Sequence, residues 1–207
     1  MKFSVTAIAT SLLALVAAAP APQVLPGPDP STVWIQKIIT GGSGCPTGSV
    51  SQTISNDRSL FTLIFDQYVA SVGKGVSPTE SRKNCQLNVH LRYPAGWQYS
   101  IFSATYRGYA GLARGQQGTQ KSTYYFSGDS RQTSTQTMFN GPYSADYSFT
   151  DNVDHTTNVW SPCGQEGLLN INSQVRITGD MNQNGMLTTD SIDGKFKQIL
   201  ALSWRRC

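Results

Sequence analysis

The chain contains few of the residues that carry most enzyme chemistry. Only two of its 207 residues are histidines, four are cysteines, and charged residues make up 14%. No two cysteines have C-x-x-C spacing and no G-x-S-x-G sequence occurs, so neither the common zinc sites nor the nucleophile elbow of α/β-hydrolases has support in the sequence. Residues 19–25 contain no histidine, which argues against a copper site built on the first residue of a processed chain.

Long hydrophobic runs are also missing, apart from one near the amino terminus. The run from Ile8 to Ala19 follows Lys2 and is too short to cross a bilayer core of about 30 Å as a helix. It has the length and the small flanking residues of a secretory signal peptide, which we expect to comprise residues 1–18. A retained amino-terminal anchor is the alternative. The sequence therefore predicts a secreted, extracellular protein without a membrane span.

Positive charge is in only slight excess. Without residues 1–18 the chain has 15 basic and 12 acidic side chains. The basic pairs Arg82-Lys83 and Arg205-Arg206 are isolated, whereas nucleic-acid binding normally needs a dense basic face. We therefore expect no nucleic-acid partner.

The four cysteines are best explained as two disulfides, as expected for an even number in an exported chain. Three pairings are open, and we favour Cys45–Cys85 with Cys163–Cys207 because it closes each half of the chain on itself. In the chain-entropy model, a loop of about 40 residues stabilises the fold by roughly 4 kcal/mol.

Proline is concentrated in one segment behind the predicted signal peptide. Residues 19–32 contain five prolines and a glycine, which predicts a flexible leader or tether. We expect one ordered domain, residues 33–207, to follow it.

Within this domain, strand-like segments alternate with turn signals. Leu87, Val89 and Leu91, for example, alternate with polar residues, as in a strand with one buried face. A slip in this alternation between Ile101 and Phe102 predicts a bulge or a strand buried on both faces, and a short helix is predicted near Asp66–Val72. The predicted strands are Val33–Thr40, Ser49–Ser55, Leu60–Asp66, Gln86–Tyr93, Gln98–Tyr106, Lys121–Phe126, Thr133–Phe139, Leu168–Thr178 and Gln198–Trp204.

Short strands at this spacing predict an all-β fold. The fold that we expect is an antiparallel β-sandwich, jelly-roll or immunoglobulin-like, with two disulfides. A closed barrel is the alternative.

Several strings of residues resemble one family. They include Cys45-Pro-Thr-Gly-Ser-Val, Tyr93-Pro-Ala-Gly-Trp-Gln-Tyr and Val159-Trp-Ser-Pro-Cys-Gly, together with the terminal Cys207. These strings resemble the fungal secreted-protein family catalogued as domain of unknown function 4360, and the likeness runs from about Gly44 to Cys207. The resemblance implies an extracellular, β-rich protein without an agreed activity, so it transfers no catalytic residues.

Aromatic residues are the first candidates for binding a ligand. Sugar rings stack their C–H faces on exposed aromatic rings, and an arginine beside such rings could bind an anionic ligand or form a cation–π pair within the fold. The alternative is that these rings fill the core. Tyr124 and Tyr125 are neighbours on a strand, so the two cannot enter the same core. The candidate ligand-binding residues are Tyr124, Tyr125, Trp97, Tyr109 and Arg107.

A cation loop is a second candidate. Asp180, Asn182 and Asn184, followed by Gly185, copy the start of a calcium loop, and Asp190 could complete the site. The twelfth position, which needs a carboxylate, holds Ser191 instead. The favoured alternative is a hairpin turn at Asn184-Gly185, with no cofactor.

Carboxylates are the third candidate, because a glycosidase needs two of them across a sugar. The alternative for Asp151-Asn-Val-Asp154 is a polar loop between strands. No catalytic residue is assigned. The carboxylates considered are Asp66, Asp146, Asp151, Asp154, Asp190 and Asp193.

Taken together, these patterns predict a secreted, non-enzymatic, fungal-type protein. It would bind a polysaccharide or a cell-wall or host surface, as effectors do. A carbohydrate-active hydrolase or lyase using aspartates and a structural extracellular matrix protein are the alternatives.

Overall fold

The computed structural model describes residues 27–153, 159–164, 166–188 and 196–207. The predicted signal peptide, residues 1–18, lies outside the described residues, and so does most of the predicted leader. Twelve strands are described: β1 Trp34–Gly41, β2 Val50–Ile54, β3 Leu60–Phe65, β4 Ala70–Val72, β5 Arg82–Arg92, β6 Trp97–Leu112, β7 Gln116–Phe126, β8 Gln132–Asn140, β9 Tyr143–Asn152, β10 Glu166–Gly179, β11 Gly185–Thr188 and β12 Phe196–Arg206. Single 3₁₀ turns lie at Pro30–Thr32 and Pro78–Ser81.

The strands form two antiparallel sheets. Sheet A has the order β1-β5-β10-β7-β8. Sheet B has the order β2-β3-β12-β6-β11-β4, and β9 pairs with β6. The predicted all-β, antiparallel sandwich is confirmed.

Period-two burial explains how the sheets pack. Along β10, Leu169, Ile171 and Val175 are buried, while the intervening side chains turn to the outer face of sheet A. The inward residues of both sheets form one hydrophobic cluster. Each strand of sheet A therefore also presents an outward row, and these rows make a polar surface.

The predicted slip in β6 is a bulge. Leu202 pairs with Ile101 and Ala201 with Ser103, so Phe102 has no partner in the register. Inward positions are odd-numbered before Phe102 and even-numbered after it. The extra residue lets one strand of 16 residues keep apolar side chains inward along its whole length.

The core also contains a hydrogen-bonded polar group. The Tyr106 hydroxyl lies 2.6 Å from the Tyr124 hydroxyl and 2.6 Å from Thr135 Oγ1. Gln198 Nε2 donates to the Tyr124 hydroxyl over 2.6 Å. Burial raises the pKa of both tyrosines, so they stay neutral and act as donors and acceptors.

Both disulfides have the predicted pairing. Cys45–Cys85 joins the loop after β1 to β5 and is fully buried. Cys163–Cys207 joins the segment 159–164 to the end of β12, and both of its cysteines are exposed. One bridge therefore lies inside the sandwich and the other at its surface.

One local prediction is wrong, and a second is wrong at its first two residues. The segment predicted as a helix, Asp66–Val72, contains β4, because Ala70 and Val72 turn into the core and pair with β11. The segment predicted as a polar loop begins inside β9, since Asp151 pairs with Ala104 of β6. Outward polar side chains concealed β9, and only its inward residues, such as Tyr147, are buried.

Residues 27–32 of the predicted leader contact the sandwich. Pro28 is buried, and the Gly27 backbone lies against the Trp204 ring. Arg58 Nε donates to the Pro30 carbonyl oxygen over 2.9 Å. This end of the leader is therefore part of the folded surface.

Candidate functional site

Two of the predicted ligand-binding rings are not available at the surface. Tyr124 is 1% exposed and belongs to the polar group in the core. Trp97 is 7% exposed, and the Arg206 guanidinium lies 4.1 Å from the centre of its ring. The period-two pattern puts both side chains inward, so neither fits a platform for a sugar.

The other predicted residues are divided between the two sheets. Tyr125 is half-buried on the outer face of sheet A, beside Asn170. Tyr109 and Arg107 lie on the outer face of sheet B, where Tyr109 lines an open cleft of about 500 Å³ with Tyr143 and Met186. The five predicted residues therefore do not form one site.

The predicted cation loop folds as a turn between the two sheets. The Asp180 carboxylate accepts hydrogen bonds from the Asn182 backbone and the Gln183 side chain, and these bonds lower its pKa. Asn184 turns towards Gly73 instead. Asp190 lies outside the described residues, and within those residues no three metal-ligating side chains cluster.

The predicted hairpin at Asn184-Gly185 is also wrong. A hairpin needs two strands of one sheet, but β10 belongs to sheet A and β11 to sheet B. Neither residue has the positive φ that a type I′ turn requires. Gln116, which is buried, holds the turn by donating to the Asp180 and Gln183 carbonyl oxygens, each over 2.8 Å.

The carboxylates are scattered as far as the structure describes them. Asp154, Asp190 and Asp193 lie outside the described residues. Asp146 stands opposite Tyr109 and Asp151 opposite the buried Ala104, so these two carboxylates point to opposite faces of sheet B. Asp151 is half-buried, and burial raises its pKa although the Thr137 hydroxyl donates to it.

The described structure places an exposed tryptophan at one corner of sheet A. Trp34 is 50% exposed at the start of β1. It stands opposite Arg92 of β5, which stands opposite Glu166 of β10. Arg92 Nη1 lies 2.7 Å from Glu166 Oε1. A flat ring and an ion pair therefore share one row across three strands, which are spaced about 4.8 Å apart.

This row borders an open cleft of about 400 Å³, which we name the Trp34 cleft. Its floor includes Tyr93, whose ring is buried and whose hydroxyl donates to Ser161 Oγ over 3.0 Å. The lining residues are Ser31, Thr32, Trp34, Arg92, Tyr93, Pro94 and Ala95. Hydroxyl groups, a cation and an aromatic face thus meet around one concave surface.

One wall of the cleft is a 3₁₀ turn held by side chains. The Asp29 carboxylate accepts hydrogen bonds from the Ser31 backbone and hydroxyl, over 2.9 and 2.8 Å. These bonds lower the pKa of Asp29, so it is ionised at neutral pH. Arg58 anchors the turn through the Pro30 carbonyl oxygen and also donates to the Ser55 carbonyl oxygen over 2.9 Å.

Amide side chains continue the polar surface from this corner. Three pairs stand opposite one another on β5 and β10: Asn88 with Asn170, Gln86 with Asn172, and Asn84 with Gln174. Asn88 Nδ2 donates to Asn170 Oδ1, and Asn170 Nδ2 donates to Ser127 Oγ over 3.0 Å. Each amide offers both donors and acceptors, which suits a ligand rich in hydroxyl groups.

Sequence reasoning missed Trp34 because a second bulge hides its direction. The register slips between Ile35 and Lys37 and leaves Gln36 outside the ladder. The inward residues Ile35 and Ile38 are therefore three positions apart, so the period-two signal is lost. A tryptophan at the start of the first strand was the only available clue.

Comparison with solved structures finds distant likenesses to carbohydrate-binding modules. TmCBM61 in complex with β-1,4-galactotriose is 11% identical over 90% of this chain and 100% of its own, with a TM-score of 0.28. TmCBM27, a carbohydrate-binding module that recognises mannan, is 9% identical over 86% of this chain and 90% of its own, with a TM-score of 0.35. TM-scores below 0.5 say nothing about a ligand of this chain.

Sequence comparison gives a much closer match. A protein of the fungus Arthroderma benhamiae, named an uncharacterized secreted protein, is 58% identical over 181 residues, which are 87% of this chain and 74% of its own. The predicted secretion is thereby confirmed. Among the described residues, no helix has the length and apolar character needed to cross a membrane. The model of a domain of unknown function (DUF4360) matches residues 31–207, and this chain therefore belongs to the DUF4360 family.

Proposed function

We propose that this secreted protein binds glycan at the Trp34 cleft and along the adjoining outer face of sheet A. The observation that carries the proposal is the half-exposed Trp34 ring in one row with the Arg92–Glu166 ion pair. A sugar ring would stack its C–H face on the indole, and its hydroxyl groups would bond the charged side chains. A cell-wall or host-surface polysaccharide is the ligand class that an extracellular protein of this kind would meet.

The cleft is suited to this role because little of it must be ordered when a ligand binds. The wall at Pro30–Thr32 is held by Asp29 and Arg58, and Arg92 is already ion-paired with Glu166. Side chains that are ordered in advance reduce the entropy lost on binding. The Asn88–Asn170 pair gives the surface beyond the cleft the same property.

Retention on insoluble wall polysaccharides tests the proposal. We expect Trp34→Ala to reduce retention about tenfold or more, because truncating a stacking tryptophan typically removes a large part of the binding energy. Tyr109→Ala is the matched control, since it removes an aromatic ring from the cleft on sheet B. Unfolding curves of both variants would verify that the fold is intact.

Two results would overturn the proposal. The first is wild-type protein that is retained on no polysaccharide, with calcium or with a chelator. The second is retention that falls with Tyr109→Ala and is unchanged by Trp34→Ala, which would move the site to sheet B.

A further inference from the structure

The charges of the outer face of sheet A are strongly unbalanced. Its outward rows contain a single carboxylate, Glu166, which is ion-paired with Arg92. The cations on the same face are Lys37, Arg82, Arg92, Lys121 and Arg176. Five cations against one carboxylate give this face an excess of +4, larger than the net charge of +3 of the chain without residues 1–18.

Three of these cations gather at the end of the face away from Trp34. Arg82 of β5 stands directly opposite Arg176 of β10. Lys121 of β7 lies opposite Gln174, one outward position along β10 from Arg176. Outward neighbours of this kind lie about 5 to 8 Å apart, within reach of long side chains. We name Arg82, Arg176 and Lys121 the basic corner.

The basic corner has no anion to balance it within the described part of the chain. None of its three side chains forms an ion pair there, and the nearby Glu80 is bonded to Lys83 over 2.8 Å. Like charges directly opposite each other on neighbouring strands destabilise a sheet. An arrangement that costs stability and stays exposed is typical of a surface that binds an oppositely charged partner.

We infer that the basic corner binds the carboxylate groups of an acidic polysaccharide, which rests on the glycan-binding function proposed above. The cations of the basic corner favour a ligand with negative charge. The three amide pairs between the basic corner and the Trp34 cleft favour a polymer rich in hydroxyl groups. Arg92 and Arg82 are ten residues apart on β5, about 34 Å at 3.4 Å per residue. One extended polysaccharide therefore contacts the ring at one end and the cations at the other.

Three to five cations suit this partner better than a nucleic acid. Specific DNA binding commonly uses about six to ten phosphate contacts, more than this face supplies. The exposed apolar side chains of the face, Trp34, Ile39 and Met138, lie on its two edge strands, so they form no continuous patch to enter a lipid surface.

The test compares soluble polygalacturonate with its methyl ester, which has the same backbone without the charge. We expect the wild-type protein to bind polygalacturonate more tightly and with a steeper loss of affinity as salt is raised. Arg82→Gln with Arg176→Gln should weaken that binding about tenfold and leave binding of the methyl ester unchanged. Arg107→Gln with Lys197→Gln, a pair of cations that stand opposite each other on the outer face of sheet B, changes the net charge equally and should have little effect.

The outcomes separate this inference from the proposed function. If the protein binds both polymers equally well and loses that binding with Trp34→Ala, the basic corner does not select an acidic ligand, and the proposed glycan binding at the Trp34 cleft is supported. If the preference for polygalacturonate is unchanged by Trp34→Ala but disappears with Arg82→Gln and Arg176→Gln, the basic corner binds the polymer and the proposed role of the Trp34 cleft is overturned. Equally tight binding of duplex DNA or anionic vesicles, or an equal loss in the Arg107 and Lys197 variant, would overturn the polysaccharide assignment. Denaturation curves should show the Arg82 and Arg176 variant to be as stable as wild type or more so.

Discussion

At the scale of single residues, the polar group inside the sandwich is held together by hydrogen bonds between buried side chains. Tyr124 lies between Tyr106 and Gln198, both at 2.6 Å, and all three side chains are buried. Buried polar atoms stabilise a fold only when they are paired, because desolvation otherwise costs more than the bond returns.

Tyr124→Phe tests this group. We expect a loss of about 1–3 kcal/mol in the free energy of unfolding, since the Gln198 amide would lose its acceptor in the core. Tyr125→Phe, on the outer face, should change stability by less than about 0.5 kcal/mol. Chemical denaturation followed by tryptophan fluorescence measures the free energy of unfolding of both variants. Equal losses would show that the buried hydrogen bonds of Tyr124 do not add to the stability of the fold.

Asp151 predicts a distinctive pH dependence. Burial raises its pKa in the folded state above the ordinary 3.8, so the folded protein holds this proton more tightly than the unfolded chain. Stability therefore falls as pH rises from about 4 through the folded pKa. Asp151→Asn removes that penalty and should gain stability relative to wild type over the same window.

Asp57→Asn is the opposite control. Hydrogen bonds from Ser55 and Ser59 lower the pKa of Asp57 to about 2. Its contribution is fully present above 3.8 and is lost as pH falls towards 2, so this variant should lose stability relative to wild type at neutral pH. Unfolding midpoints at a series of pH values measure both, and parallel curves for the two variants would contradict the assignment.

At the scale of strands, the quality of the sequence prediction follows burial. β5 and β10 pair on both sides, so their alternation is clean and both were predicted. β4 and β11 have three and four residues, too few to show a period. The bulge at Phe102 was predictable because apolar residues flank it, whereas the bulge at Gln36 lies on an edge strand and was not.

The terminal strand β12 is held by the exposed disulfide, which predicts an order of reduction. A mild thiol reductant should open Cys163–Cys207 before Cys45–Cys85. The reductant must reach a sulfur atom, and the cysteines of Cys163–Cys207 are exposed whereas those of Cys45–Cys85 are buried. Differential alkylation followed by mass spectrometry measures the two rates. Simultaneous opening would show that the buried bridge is reached through global unfolding.

At the scale of the whole molecule, the candidate site could not be predicted because three separate parts of the chain build it. Trp34 and the wall at Pro30–Thr32 come from one continuous segment, Arg92 comes from β5 and Glu166 from β10. The strands, the disulfides and secretion were predictable because the first follow from local alternation, the second from the number of cysteines and the third from a single amino-terminal run. The unequal distribution of charge emerges only when the strand order places Arg82, Arg176 and Lys121 side by side.

The bulge in β1 has a consequence for solubility. β1 is an open edge of sheet A, and exposed Trp34 and Ile39 make such an edge a template for a strand from a second copy. The extra residue at Gln36 interrupts the row of free backbone groups, and Lys37 adds charge beside it. The bulge therefore opposes edge-to-edge pairing of two copies along β1, while the Trp34 ring stays exposed at the rim of the sheet.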